Sequence, residues 1–138
     1  MSDENKAISR RVFEEIISQG NLSLADELFA SNYVDHDPAN PDVSGPAGFK
    51  LLVSKYRSAF PDLRLTVNDI FAEGDEVVVR WTWSGTHKGD LEGVPPTGKK
   101  MGGEGITISR FSGGKVEEDW ANWDALGLMR QLGVVPEN

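Results

Sequence analysis

The chain has 138 residues, no cysteine and a formal net charge of −8. This length suits a single domain spanning residues 1–138 with one core, and the lack of cysteine excludes disulfides, thiolate chemistry and Cys-ligated zinc. An acidic surface without a basic cluster repels phosphate, so neither nucleic acid nor an anionic membrane is expected as a partner.

The segment Met1 to Lys6 holds no apolar signal region, and no later run reaches bilayer-spanning length. A cytoplasmic location is the expectation. Residues 3–19 place Ile8, Val12, Phe13, Ile16 and Ile17 on one helical stripe, with Gly20 as its stop. Residues 22–30 repeat the pattern briefly, and Asn32 to His36 reads as a short strand. Asp37 to Gly48 is a loop rich in Pro, Asp and Gly. Ser44 and Pro46 announce a third helix carrying Phe49, Leu52, Val53, Tyr56 and Phe60, ended by Pro61.

From residue 62 the period becomes two. Leu63, Leu65 and Val67 alternate with polar residues, and Glu73-Gly74-Asp75 is a hairpin turn signal. In the strand over 76–84, Val77, Val79, Trp81 and Trp83 share one face and Val78, Arg80 and Thr82 the other. Residues 88–99 form a long turn, a strand runs from about Met101 to Phe111, and Ser112-Gly113-Gly114 returns it as Lys115–Ala121. Asp124 caps a closing helix that stops at Gly133. Helices followed by about four antiparallel strands predict an α+β architecture with helices on one face of a curved sheet.

Chemistry-bearing residues are few. With a tight Gly113-Gly114 turn, Asp119 falls opposite Ile108 and shares a face with it and Ile106. A carboxyl there loses hydration, and its pKa rises toward the range of a general base. The competing reading is a solvated acidic edge formed by Glu117, Glu118 and Asp119. His36 either points into a pocket or bonds between Asp35 and Asp37, and His87 follows a turn where a pocket mouth would lie. These groups have no recognised metal-ligand spacing, so no metal site is expected. Trp120 and Trp123 are candidates for stacking on a flat ring, Trp83 is a further candidate for substrate binding, and Tyr33, Tyr56 and Phe60 are candidates for pocket walls. Arg80 needs a carboxylate or an anionic substrate group if its face is buried. The glycines from Gly102 to Gly105 open a strand, so they permit a bend or a close approach rather than cradle phosphate.

Five motifs in order identify a family. They are Phe60-Pro61-Asp62-Leu63, Gly85-Thr86-His87, the loop from Gly93 to Gly98, Gly114-Lys115-Val116-Glu117, and the ending from Asp124 to Gly133. Together they resemble the SnoaL-like polyketide cyclases (ester cyclases) of the NTF2-like superfamily, from Ala7 to Gly133. The resemblance implies a cone-shaped α+β barrel, with a curved antiparallel sheet carrying helices on its concave side over a deep pocket. It also implies a homodimer through the outer sheet face, and ring closure by intramolecular aldol condensation with no cofactor. Family cyclases use an aspartate on the last strand, which aligns with Asp119, and a histidine on the preceding strand. Gly105-Ile106-Thr107 has no histidine, and Glu104 is a nearby second carboxylate.

The expected function is therefore a cofactor-independent cyclase or isomerase. It would act on a hydrophobic, ring-containing carbonyl compound, with Asp119 as acid/base. The alternative is a non-catalytic protein that binds a small molecule on the same fold.

Overall fold

A computed structural model describes residues 2–135. The N-terminal stripe forms α1 (Ser2–Arg11), which continues as wider π-helical turns over Val12–Ser18. Gly20 ends this segment with a φ of +76°, a value that suits glycine. A 3₁₀ turn at Leu22–Leu24 leads into the short α2 (Ala25–Leu28). The second helix stops earlier than its periodicity predicts, because Phe29 turns extended and opens β1 (Phe29–Asp35). There the Phe29 ring packs on Tyr33 and Phe49, with centroids 4.5 and 4.4 Å away.

Helix α3 (Gly45–Ala59) starts with Pro46 in its first turn. Ser44 occupies the cap position without a side-chain hydrogen bond. The remaining elements are β2 (Arg64–Glu73), β3 (Glu76–Thr86), β4 (Lys100–Ser112), β5 (Lys115–Trp123) and α4 (Ala125–Leu132). The Asp124 side chain accepts from the Gly127 N–H at 2.8 Å, so α4 is capped as its sequence predicts.

The five strands form one open sheet in the order β1-β5-β4-β3-β2. Strands β2 to β5 are antiparallel, whereas β1 joins β5 in parallel. That parallel edge departs from the all-antiparallel expectation. It also brings two segments far apart in sequence into register, with Asp35 opposite Asp119.

The inner face of β3 carries Val77, Val79, Trp81 and Trp83, all buried. Phe13 packs on Trp81 at 6.2 Å and Phe60 on Trp83 at 5.2 Å, so the helices cover this face. Gly105 and Gly103 lie opposite Trp81 and Trp83 on β4. A Cβ at Gly105 would stand 2.5 Å from the Trp81 ring, and one at Gly103 would stand 2.8 Å from the Trp83 nitrogen. The glycine-rich start of β4 thus makes room for two indoles lying across it. Among the described residues, no helix is long and apolar enough to cross a membrane.

Candidate active site

Between the helices and the inner sheet face lies a cavity of about 140 Å³. Its wall is mostly apolar, formed by side chains such as Phe13, Phe49, Val53, Leu63 and Trp81. Three carboxyl groups interrupt it: Asp35, Asp37 and Asp119.

Asp119 reaches the cavity because the β4–β5 hairpin contains a bulge. Gly113 and Gly114 form the turn with φ of +59° and +78°, and Ser112 pairs with Lys115 as the sequence predicts. The register then slips between Arg110 and Phe111. Asp119 consequently lies opposite Ser109 rather than Ile108, on the inner face with Thr107 and Ser109. Ile106 and Ile108 take the outer face. A one-residue slip exchanges the faces, which is why the predicted apolar neighbours become polar ones.

The Asp119 carboxyl is buried and accepts two hydrogen bonds, from the Tyr33 hydroxyl at 2.7 Å and from the Ser109 hydroxyl. Burial pushes its pKa up to about 6, against the two hydrogen bonds, which favour the anion. Asp35, opposite it on β1, is pushed up to about 7 by burial and by the Asp119 charge. Its Oδ1 accepts from the Asp37 N–H at 3.0 Å. Burial and the Asp119 charge also hold the Tyr33 hydroxyl well above its ordinary pKa, so it remains a donor.

Asp37 is held more tightly. It accepts from the Ala39 N–H at 2.9 Å, the Asn40 amide at 3.0 Å and the Trp123 indole N–H at 3.0 Å. Asn40 in turn accepts from the Tyr56 hydroxyl at 3.0 Å and the Lys55 ammonium at 2.8 Å. Among the described residues, no three His, Asp or Glu side chains are arranged to hold a metal ion.

The structure brings Asp119, Tyr56, Phe60, Trp83 and Trp123 to the cavity wall. Tyr33 stands behind that wall and acts on it through Asp119. His36 lies on the outside, where its ring stacks on Trp120 at 5.3 Å and its Nε2 meets Glu118 at 2.6 Å. Arg80 also faces outward and pairs with Asp69 at 2.6 Å. With Glu104 it borders a shallow depression on the outer face. His87 is fully buried, yet it packs against Phe60 and the Thr97 loop rather than lining the cavity.

Sequence reasoning did not single out Asp35 and Asp37 as a pair with Asp119, nor Ser109. The available signal was the alternation of Tyr33, Asp35 and Asp37, which puts all three on one face of an extended segment.

Comparison with known proteins agrees with this architecture. The family model for SnoaL-like polyketide cyclases matches residues 7–132. The nogalonic acid methyl ester cyclase of Streptomyces nogalater is 31% identical over 127 residues, covering 86% of this chain and 92% of that protein. The aklanonic acid methyl ester cyclase DnrD of Streptomyces peucetius is 35% identical over 97 residues, covering 68% of this chain and 66% of that protein. The crystal structure of a candidate polyketide cyclase from Acidithiobacillus ferrooxidans superposes with a TM-score of 0.86 at 36% identity, covering 96% of each chain.

Proposed function

This chain belongs to the SnoaL-like polyketide cyclase family, and we propose that it closes a ring in a hydrophobic carbonyl compound by intramolecular aldol condensation, using Asp119 and Asp35 as a proton-transfer pair. The observation that carries this reading is the two carboxyls in register across β1 and β5, both in an apolar cavity.

Asp119 in its ionised form takes a proton from the carbon next to a carbonyl or ester. The carbanion attacks a ketone carbon elsewhere in the same molecule. A C–C bond forms, the ketone π bond breaks, and its oxygen takes the proton that Asp35 carries. Passing the proton from Asp119 back to Asp35 restores the pair, and no other reactant is consumed. Asp35 thus supplies the donor that the absent histidine near Gly105 would have supplied. A pair with pKa values of about 6 and about 7 holds one proton near neutrality, the state this exchange needs. The cavity adds orientation by folding a flexible chain before bond formation.

A non-catalytic binder is the second reading. It is favoured by the fact that both Asp119 oxygens already accept a protein hydrogen bond. Each carboxylate oxygen retains a second acceptor site, so those bonds do not block proton transfer.

The deciding experiment uses aklanonic acid methyl ester as substrate. Asp119→Asn is expected to lower kcat about 10³-fold, and Asp35→Asn about 10²-fold, with circular dichroism unchanged. Full turnover in Asp119→Asn removes that residue from the mechanism. Absence of any wild-type turnover, together with saturable binding of the ester, establishes the binder.

A further inference from the structure

The two cavity carboxyls on β1 and β5 are held unequally. Asp119 accepts from the Tyr33 and Ser109 hydroxyls, so side chains on both strands flanking β5 fix its direction. Among the described residues, the Asp35 carboxyl accepts one hydrogen bond, from the N–H of Asp37 in the loop that follows. The place of Asp35 therefore depends on where the backbone of β1 ends. β1 is an edge strand, and Asp35 is its last residue and its last pair with β5. Upstream the register is broken between Phe29 and Val34, so the ladder that carries Asp35 is short. A short strand end opens locally at little free-energy cost unless other contacts tie it down.

The next residue supplies that tie. The His36 backbone N–H donates to the Asp119 carbonyl at 2.8 Å. Its Nε2 donates to Glu118 Oε2 at 2.6 Å, since a carboxylate can only accept. Its ring lies nearly parallel to that of Trp120, with centroids 5.3 Å apart and planes at 21°. Glu118 and Trp120 flank Asp119 along β5 and point to the opposite face. The imidazole thus spans the outer side of the strand behind the Asp119 carboxyl. Glu118 is itself held from β4, where Arg110 donates to its Oε1 from Nε at 3.0 Å and from Nη2 at 2.7 Å. Hydrogen bonds from Arg110 and then from His36 keep the Glu118 carboxyl below its ordinary pKa, so it stays an acceptor. One outer network therefore joins β4, β5 and the end of β1. With side chains 40% and 26% exposed, the His36–Glu118 pair adds little to overall stability. Its effect is local, on the last pair of an edge strand.

We propose that His36 is a positioning residue, whose hold on Glu118 fixes the end of β1 and so keeps the Asp35 carboxyl opposite Asp119. The assignment rests on the proton-transfer pair proposed above, but its main test needs no turnover.

That test is a ¹³C NMR titration of the two carboxyls, assigned with Asp35→Asn and Asp119→Asn. Carboxyls that interact titrate in coupled steps, and each resonance reports both. The wild type is expected to show both steps at each carboxyl. His36→Ala should leave each resonance with its own single step. His36→Gln, whose amide nitrogen can take the place of Nε2 and donate as it does, should restore both. Loss of the imidazole charge alone would displace the steps without uncoupling them. Glu118→Ala should behave as His36→Ala does, and the double variant should add nothing further. With aklanonic acid methyl ester, His36→Ala should lower kcat about tenfold and leave KM within about twofold, because a displacement of about 1 Å at a reacting group is enough. His36→Gln should recover most of that loss. Coupled steps that persist in His36→Ala overturn the proposal, as do wild-type carboxyls that titrate independently. An unchanged kcat in His36→Ala overturns it too, and so does a general loss of structure that His36→Gln fails to reverse. Absence of wild-type turnover would remove the cyclase reading and leave the titration to decide the role of His36.

Discussion

In the middle of strands β4 and β5, several positions invert the usual distribution of polarity between the two faces. Outward, Ile106 and Trp120 meet solvent at 47% and 37% exposure. Inward, Thr107, Ser109 and Asp119 are buried. Scattered apolar groups on a surface cost little and are common. Buried hydroxyls and a carboxyl are costly unless each finds a partner. Here each has one: Trp81 donates to Thr107, and Ser109 donates to Asp119. The inner face gives up hydrophobic burial to hold a polar network, which is what a site for proton transfer requires and a purely structural core does not. The outer face shows no such concession.

The sharpest way to break this contrast is to substitute two adjacent positions, one facing each way. Gly105 faces inward, where a Cβ would meet Trp81 at 2.5 Å and Trp123 at 2.6 Å. Gly105→Val should cost about 3 kcal/mol or more, through overpacking against the Trp81 ring and the Trp123 Cβ. Ile106 faces outward, and Ile106→Thr should change stability by less than about 0.5 kcal/mol. Urea midpoints of the two variants measure the difference. Equal losses would mean that the outer face is covered in solution and that the contrast between faces is false.

A pH series sharpens the comparison through the carboxyls. An aspartate with an ordinary pKa of 3.8 that rises to about 6 on folding binds its proton more tightly in the folded state. The folded chain then holds more protons than the unfolded chain between these values, so stability falls as pH rises through that window. For Asp119 alone the effect is on the order of 3 kcal/mol, and Asp35 adds to it in the same direction up to about pH 7. Thermal unfolding between pH 4 and pH 8 should show this decline, and Asp119→Asn should flatten it. Turnover should follow a narrow bell with limbs near 6 and 7, values that belong to the coupled pair rather than to either residue. A flat stability profile would mean that the two groups are solvated, and the argument for a functional inner face would fail with it.

Much of this was legible in the sequence because local patterns encode it. The period of two over 76–84 put Trp81 and Trp83 on one face and Arg80 on the other, and the sheet turns the first face inward and the second outward. The Gly113-Gly114 turn fixed the hairpin end at Ser112 and Lys115. The bulge at Arg110 and Phe111 was not legible, since no residue there announces it, and it moved Asp119 from isoleucine to serine. The Asp35–Asp119 pairing was also hidden, because it depends on a parallel contact between segments more than 80 residues apart. Such contacts are set by global packing, which periodicity cannot report. His36 and Trp120 had the right chemistry for a site, but on the outer side of strands whose inner side forms the cavity.

The smallest expected effect tests the outer face directly. Arg80 and Asp69 form a 2.6 Å ion pair with side chains 46% and 43% exposed. A pair this open gains little over its hydrated parts, so Arg80→Ala should cost no more than about 0.5 kcal/mol. Its guanidinium points away from the cavity, so KM and kcat should stay within about twofold of wild type, whereas Tyr56→Ala, in the cavity wall, should raise KM. A tenfold rise in KM for Arg80→Ala would mean that substrate touches the outer depression bordered by Arg80, Glu104 and Ile106. Trp123 borders both that depression and the cavity. Such a result would make it the point where a ligand crosses from one side of the sheet to the other, and the two faces would then be parts of one site.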